Sequence, residues 1–182
     1  MNAKSLVETL QKYQERFPLE RESCSKTISL LEKYGDDCYE NQHWEGHITA
    51  SMIIINPEKT KTLLMLHKKF NKWLQFGGHS DGDPDTFATA LREFHEESGI
   101  EVEPECNGEI FFVDVHPISA DLKGRPSHFH HDIMYLGIIG EDTPFSRQED
   151  EVDDIRWFSL DGIEQYLDSN MMERIHKIRN HG

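Results

Sequence analysis

The chain reads as an α/β fold, and three observations predict it. Short runs rich in β-branched and apolar residues recur along its length and end at Gly, Pro or Asn, as strands do. Segments with apolar residues three or four apart stand before, between and after those runs, as amphipathic helices do. The strands also surround one central helix, which is a layered α/β arrangement rather than an all-β one. At 182 residues the chain is long enough for one domain with a well-buried core and short for two.

The elements follow in order. Residues from about 3 to 16 repeat Leu6, Leu10 and Tyr13 at helical spacing, and Pro18 interrupts them. A second helix is expected from about 20 to 34, with Ile28, Leu30, Leu31 and Tyr34 as its apolar contributors and Gly35-Asp36-Asp37 as its stop. Cys38 to Glu45 reads as a linker. His47–Ile55 is a strand ended by Asn56-Pro57, and Thr62–His67 is its partner across a short polar turn. Trp73–Phe76 is a short strand that leads into Gly77-Gly78, and a helix follows from about 85 to 98. Ile110–Val115, stopped by Pro117, His128–Ile139 and Asp154–Phe158 are further strands. Two helical segments, about 160–168 and 170–179, close the sequence. Residues 1–45 are therefore an N-terminal helical extension and linker, and 46–182 a single domain. The extension can pack on the sheet, pair two subunits as a homodimer, or shape a pocket; packing is the expectation.

Composition narrows the function classes. A formal net charge of −15 opposes a stable nonspecific grip on nucleic acid, which needs Lys and Arg to displace counterions. It does not oppose an anionic small molecule, because a bound divalent cation reverses the local sign. No run approaches the ~20 apolar residues of a membrane span, and the first residues lack the apolar core of a secretory signal. Cys24, Cys38 and Cys106 are odd in number and form no CxxC pattern, so free thiols in a reducing, cytoplasmic compartment are expected.

The chemistry is concentrated between Gly77 and Ile100. Glu93, Glu96 and Glu97 stand at i, i+3 and i+4, so three carboxylates converge on one helix face. They repel one another unless cations fill the space between them. Oxygen ligands of this kind suit Mg²⁺ or Mn²⁺. Gly78, Arg92, Glu93, Phe94, Glu96, Glu97, Gly99 and Ile100 also fall at the spacing of a 23-residue box, and through it the chain resembles the Nudix hydrolases. The resemblance covers roughly residues 46–160. It extends to a bacterial subgroup with an N-terminal helical extension, through Gly46–Ser51, Trp73-Leu74-Gln75 and Asp114–Ile118. One position departs, since Pro84 stands where the box has a Glu. Asp83 or Asp85 can pair with Arg92 in its place.

The resemblance implies an α/β/α sandwich with a mixed sheet, and hydrolysis of a phosphoanhydride bond in a nucleoside diphosphate linked to another group. It implies Glu93 and Glu97 as principal ligands of Mg²⁺ or Mn²⁺, Glu96 as a further ligand and the Gly78 carbonyl as a fourth. Arg92 has an orienting role in the family, and its fork also suits phosphate. The general base is left between Glu96 or Glu97 on the helix and a loop acid. Glu151 is the best loop candidate because related proteins place an acid there, and Glu149, Asp150 and Asp153 compete with it. A nonhydrolytic nucleotide sensor on the same fold is the alternative, although sensors usually lose box carboxylates. An isoprenoid diphosphate isomerase is a further one, but it needs a positioned Cys and acid, and Cys106 sits in a loop.

Histidines supply a second pattern. Alternation puts Asp114 and His116 on one strand face, and His128, His130 and Asp132 on one face of the next. With His79 these can line a substrate pocket, bond structurally, or hold a metal; His-x-His-His without a second ligand pair is a weak zinc pattern. For stacking on a nucleobase, Tyr39, Trp44, Trp73 and Phe76 are the candidate rings, with Trp73 and Phe76 more suited to the core and Trp44 to the ligand.

Overall fold

A computed structural model describes residues 2–41, 43–120, 124–148 and 150–180. The α/β class holds. Helices α1 (Ala3–Arg16), α2 (Arg21–Tyr34), α3 (Thr86–Ser98) and α4 (Ser169–Asn180) accompany strands β1 (His47–Ile55), β2 (Lys61–His67), β3 (Lys72–Leu74), β4 (Phe76–His79), β5 (Ile110–Ile118), β6 (His128–Ile138) and β7 (Val152–Ser159). The strands make one seven-stranded sheet of order β3-β2-β1-β6-β5, with β4 on β1 and β7 on β2. The chain divides into two compact units, one of residues 1–50, 78–90 and 110–134, the other of residues 51–77, 91–109 and 135–182.

In the first unit, α1 starts at a capping box. The Asn2 side chain accepts from the Ser5 amide at 3.0 Å, and the Ser5 hydroxyl accepts from the Asn2 amide at 2.9 Å, which satisfies two amides that a helix start leaves open. Leu6, Leu10 and Tyr13 are buried as their spacing requires. On α2 the buried stripe is Cys24, Thr27, Leu30 and Leu31, while Ile28 and Tyr34 are only half-buried. The expected linker is partly structured. Gly35–Tyr39 is a 3-10 turn whose Cys38 thiol donates to the Leu30 carbonyl, and both Cys38 and Tyr39 are buried.

One buried carboxylate ties the extension down. A Glu20 oxygen accepts from the Tyr13 hydroxyl at 2.5 Å and from the Val113 amide at 2.9 Å, and the same hydroxyl lies 2.9 Å from the Phe111 carbonyl. Burial, followed by the charge of Glu20, raises the Tyr13 phenol far above its ordinary range, so it remains a donor. β5 runs to Ile118, past the Pro117 expected to stop it. It lies at the end of the strand order, where a missing amide costs no ladder bond.

In the second unit, β2 and β7 pair antiparallel from Lys61 opposite Ser159 to His67 opposite Val152, with an irregularity between Leu66 and His67. β7 is thus longer at both ends than its apolar run suggested. Phe76 and Phe94 pack edge to face at 5.4 Å, which sets α3 against β4. The first expected C-terminal helix shrinks to a 3-10 turn at Ile163–Gln165. None of the cysteines forms a disulfide, and no described helix is long and apolar enough to cross a membrane.

Replacing Tyr13 with Phe removes the donor that Glu20 and Phe111 share. Urea unfolding should show a loss of about 1–3 kcal/mol, the usual cost of a buried acceptor left short of a partner. An unchanged midpoint would mean that the extension does not depend on this bond.

Candidate active site

Helix α3 begins where the sequence was irregular. An Asp85 carboxylate oxygen accepts from the Phe87 and Ala88 amides, each at 3.2 Å, and an Asp83 oxygen accepts from the Asp85 amide at 2.8 Å. Asp85 is therefore an N-cap and Pro84 the residue before it, a position that rewards fixed backbone over a charged side chain.

One turn and a half of this helix, in the second unit, carries the acids. Arg92 lies 2.9 Å from Glu93 and 3.3 Å from Glu96, so the arginine braces two box carboxylates directly. Asp83 and Asp85 are engaged in building the cap. Glu96 is exposed and Glu93 mostly covered. Glu97 is only 2% exposed, and its carboxylate accepts from the Gly77 amide at 2.8 Å. Burial pushes its pKa up to about 8, and the charges of Glu93, Glu151 and Glu96 add to the rise against the Gly77 hydrogen bond. A buried carboxylate among other carboxylates is a site short of positive charge. Its donors are hard oxygens, so they fit Mg²⁺ or Mn²⁺ and suit a thiolate-preferring ion poorly.

The segment 146–151 reaches the same helix end. The Ser146 amide donates to the Ser98 carbonyl at 2.8 Å, and the Gln148 amide to the Glu97 carbonyl at 3.3 Å, filling acceptors that every helix C-terminus leaves open. Gly99, at φ +63°, makes this possible, since a Cβ there would overlap the Ser146 side chain and carbonyl oxygen. The Lys68 amide donates to the Glu151 carbonyl at 2.9 Å, which fixes the residue that precedes β7. Of the loop acids, Glu151 is the one whose charge raises Glu97. Asp153 has Lys68 at 3.9 Å, Asp150 is exposed, and Glu149 lies outside the described residues. Gly78 follows Gly77 in β4.

The first unit gathers the histidines. Rings of His47, His79, His128 and His130 lie with centroids 4.8–5.3 Å apart wherever they meet, and His116 joins at 5.5 Å from His130. His116 and Asp114 are paired at 2.8 Å. Burial and the neighbouring imidazoles lower His47 to about 3 and His130 to about 2, so both are neutral. His47 went unnoticed in the sequence because it opens a strand far from the others in the chain. Asp132 accepts from Thr49 at 3.1 Å and is buried. Trp44 is 63% exposed and is not one of the clustered rings. Tyr39 and Phe76 are buried in the core, and Trp73 packs on Phe158 and under Arg156, so none of the three is an open stacking face.

The family model of the NUDIX domain matches residues 46–177. Among solved structures, the chain is similar to a NUDIX-family hydrolase from Clostridium perfringens, at 24% identity and a TM-score of 0.53, over 75% of this chain and 98% of that one. It is similar to the NUDIX domain of Shewanella oneidensis NrtR complexed with ADP ribose, at 18% identity and a TM-score of 0.52, over 74% and 86%. It is also similar to a C. elegans Ap4A hydrolase in a binary complex, at 16% identity and a TM-score of 0.55, over 74% and 96%. Likeness at these identities is likeness of fold. No curated protein matches the chain.

Glu97 gives a stability prediction of unusual sign. The unfolded carboxyl loses its proton near 4.5, whereas the folded one keeps it to about 8. The folded, metal-free protein therefore holds more protons across that window and loses stability as pH rises through it. Glu97→Gln keeps an acceptor for Gly77 and never ionises. Measured with a chelator present, its stability gain over wild type should grow between about pH 5 and pH 8.5, toward a few kcal/mol at ~1.4 kcal/mol per unit. A gain independent of pH would refute the raised carboxyl.

Proposed function

The chain belongs to the Nudix family, and on that premise we propose that it hydrolyses a phosphoanhydride bond in a nucleoside diphosphate linked to another group, with Mg²⁺ or Mn²⁺. The observation that carries this reading is the buried Glu97 among Glu93, Glu96 and Glu151, a carboxyl that burial and neighbouring charge keep protonated and that a cation would ionise. Retention of all three box carboxylates supports an enzyme over a nucleotide sensor.

Glu93 and Glu97, one turn apart, are the proposed principal ligands, with Glu96 as a further one. A divalent cation held there would neutralise phosphoryl oxygens and acidify a water. Arg92 holds Glu93 and Glu96 in place between substrates. Glu151, carried by the segment docked on the end of α3, is the proposed base that takes the proton from the attacking water. Its exposure leaves it open to water and substrate. Phosphoryl transfer needs position and charge neutralisation more than covalent help, and this arrangement supplies both. The substrate class is a nucleotide-type small molecule, in keeping with the ADP ribose and Ap4A named for the two relatives.

Two measurements test this. Phosphate or pyrophosphatase-coupled release across a nucleotide panel should show turnover that a chelator abolishes, and Glu151→Gln should lower kcat by about 10²–10⁴ with little change in KM. Turnover of nothing, with tight binding of one compound, would favour the sensor instead. Calorimetry should also show a proton released on Mg²⁺ or Mn²⁺ binding below about pH 8, because Glu97 must ionise to bind. Apparent affinity should then rise with pH, up to about tenfold per unit, and level off above that value.

A further inference from the structure

We propose that His47, His79 and His130 form a binding site for one divalent transition-metal ion, with Zn²⁺ as the expected occupant. One nitrogen from each ring lies within 4.8 Å of the others. Three adjacent strands supply them, since β4 and β6 both neighbour β1. His47 opens β1, His79 ends β4 and His130 is the third residue of β6.

The strongest argument is His47. It is 2% exposed, and among the described residues neither of its ring nitrogens has a hydrogen-bond partner. A neutral imidazole carries one N–H and one lone pair, and burying both unmet is a cost that native structures rarely carry. The His130 Nε2 is buried and unmatched as well. A histidine that merely fills a core finds a carbonyl or hydroxyl. Here His131 does so, on Thr27 at 3.0 Å, yet His47 finds only other imidazoles. One shared cation satisfies several lone pairs at once.

The approach of the strands is built for this. Gly46, at φ +152°, precedes His47, and a Cβ there would lie 2.6 Å from the Phe129 carbonyl oxygen. Its absence brings the start of β1 against β6. Next to the three ligands, His128 Nδ1 lies 2.9 Å from the Pro126 carbonyl, so it is the donor and Nε2 keeps the lone pair. That is the outer bond that orients metal-facing histidines. The His116–Asp114 pair beside His130 repeats the pattern with a carboxylate.

Nitrogen donors of this softness suit Zn²⁺, Co²⁺ or Ni²⁺ over Mg²⁺, which distinguishes the site from the carboxylate one by ligand chemistry alone. Ligands on a tetrahedral Zn²⁺ at ~2.0 Å stand about 3.3 Å from one another, so binding draws the three rings inward by side-chain rotation. Three protein nitrogens leave a fourth position to an exchangeable ligand.

The test uses the full chain. Stoichiometric Co²⁺ added after chelation should give the visible absorption of a four- or five-coordinate nitrogen site, and Zn²⁺ should abolish it at one equivalent. His47→Ala and His130→Gln should weaken Co²⁺ binding by more than the roughly 10- to 100-fold that outer-shell changes cost. Glu97→Gln should leave the absorption intact. Circular dichroism establishes that the variants fold, and the wild-type titration can refute the site without them. Absence of the band in wild type overturns the proposal, as does its survival in folded His variants or its loss in Glu97→Gln.

Discussion

Burial of one carboxylate sets the terms for the proposed active site. Glu97 is held under cover by the packing of α3 through Phe94 on Phe76, and its one amide partner, Gly77, comes from the strand that α3 faces. A lone buried carboxylate would take up a proton and become inert. The charges of Glu93, Glu96 and Glu151 push in the same direction. The metal-free protein thus keeps an acid where the proposed ligand stands, at a cost to stability that the proposed cation would reverse. Folding and binding are coupled through one proton.

What the sequence made legible follows from how local each signal is. The spacing of Glu93, Glu96 and Glu97 is a property of one helix, and the helix is there. Strand positions followed from β-branched runs and held to within a few residues. The misses come from information that is not local. Pro84 looks irregular because the spacing of the box does not show that Asp83 and Asp85 build the cap of α3. Pro117 ends a strand only if its amide is wanted by a neighbour, and β5 has a strand on one side only. The Cys38–Tyr39 turn reads as linker because its acids Asp36 and Asp37 are exposed while the two residues after them are buried.

The histidines show the same limit more sharply. Alternation identified His128 and His130 as one face of a strand, and His116 as a face of another. It said nothing of His47, because only the order β4-β1-β6 brings the first residue of one strand beside the last of another. A ligand set drawn from three strands leaves no spacing rule in the chain, unlike a helix with i, i+4 ligands. The two clusters also differ in donor. Oxygen on the helix and nitrogen on the strands select different cations, so each can be loaded and assayed without the other.

Gly99 joins the box to the chemistry that lies outside it. A glycine at a helix end is ordinarily explained by its freedom at positive φ. Here that freedom would be equally served by Asn, whose Cβ would still strike Ser146. What the position demands is the absence of any side chain, so that the Ser146 and Gln148 amides can reach the open carbonyls of α3. The helix end is thereby capped by the very segment that leads to Glu151. A residue that belongs to the motif thus also docks on α3 the segment that leads to the proposed base.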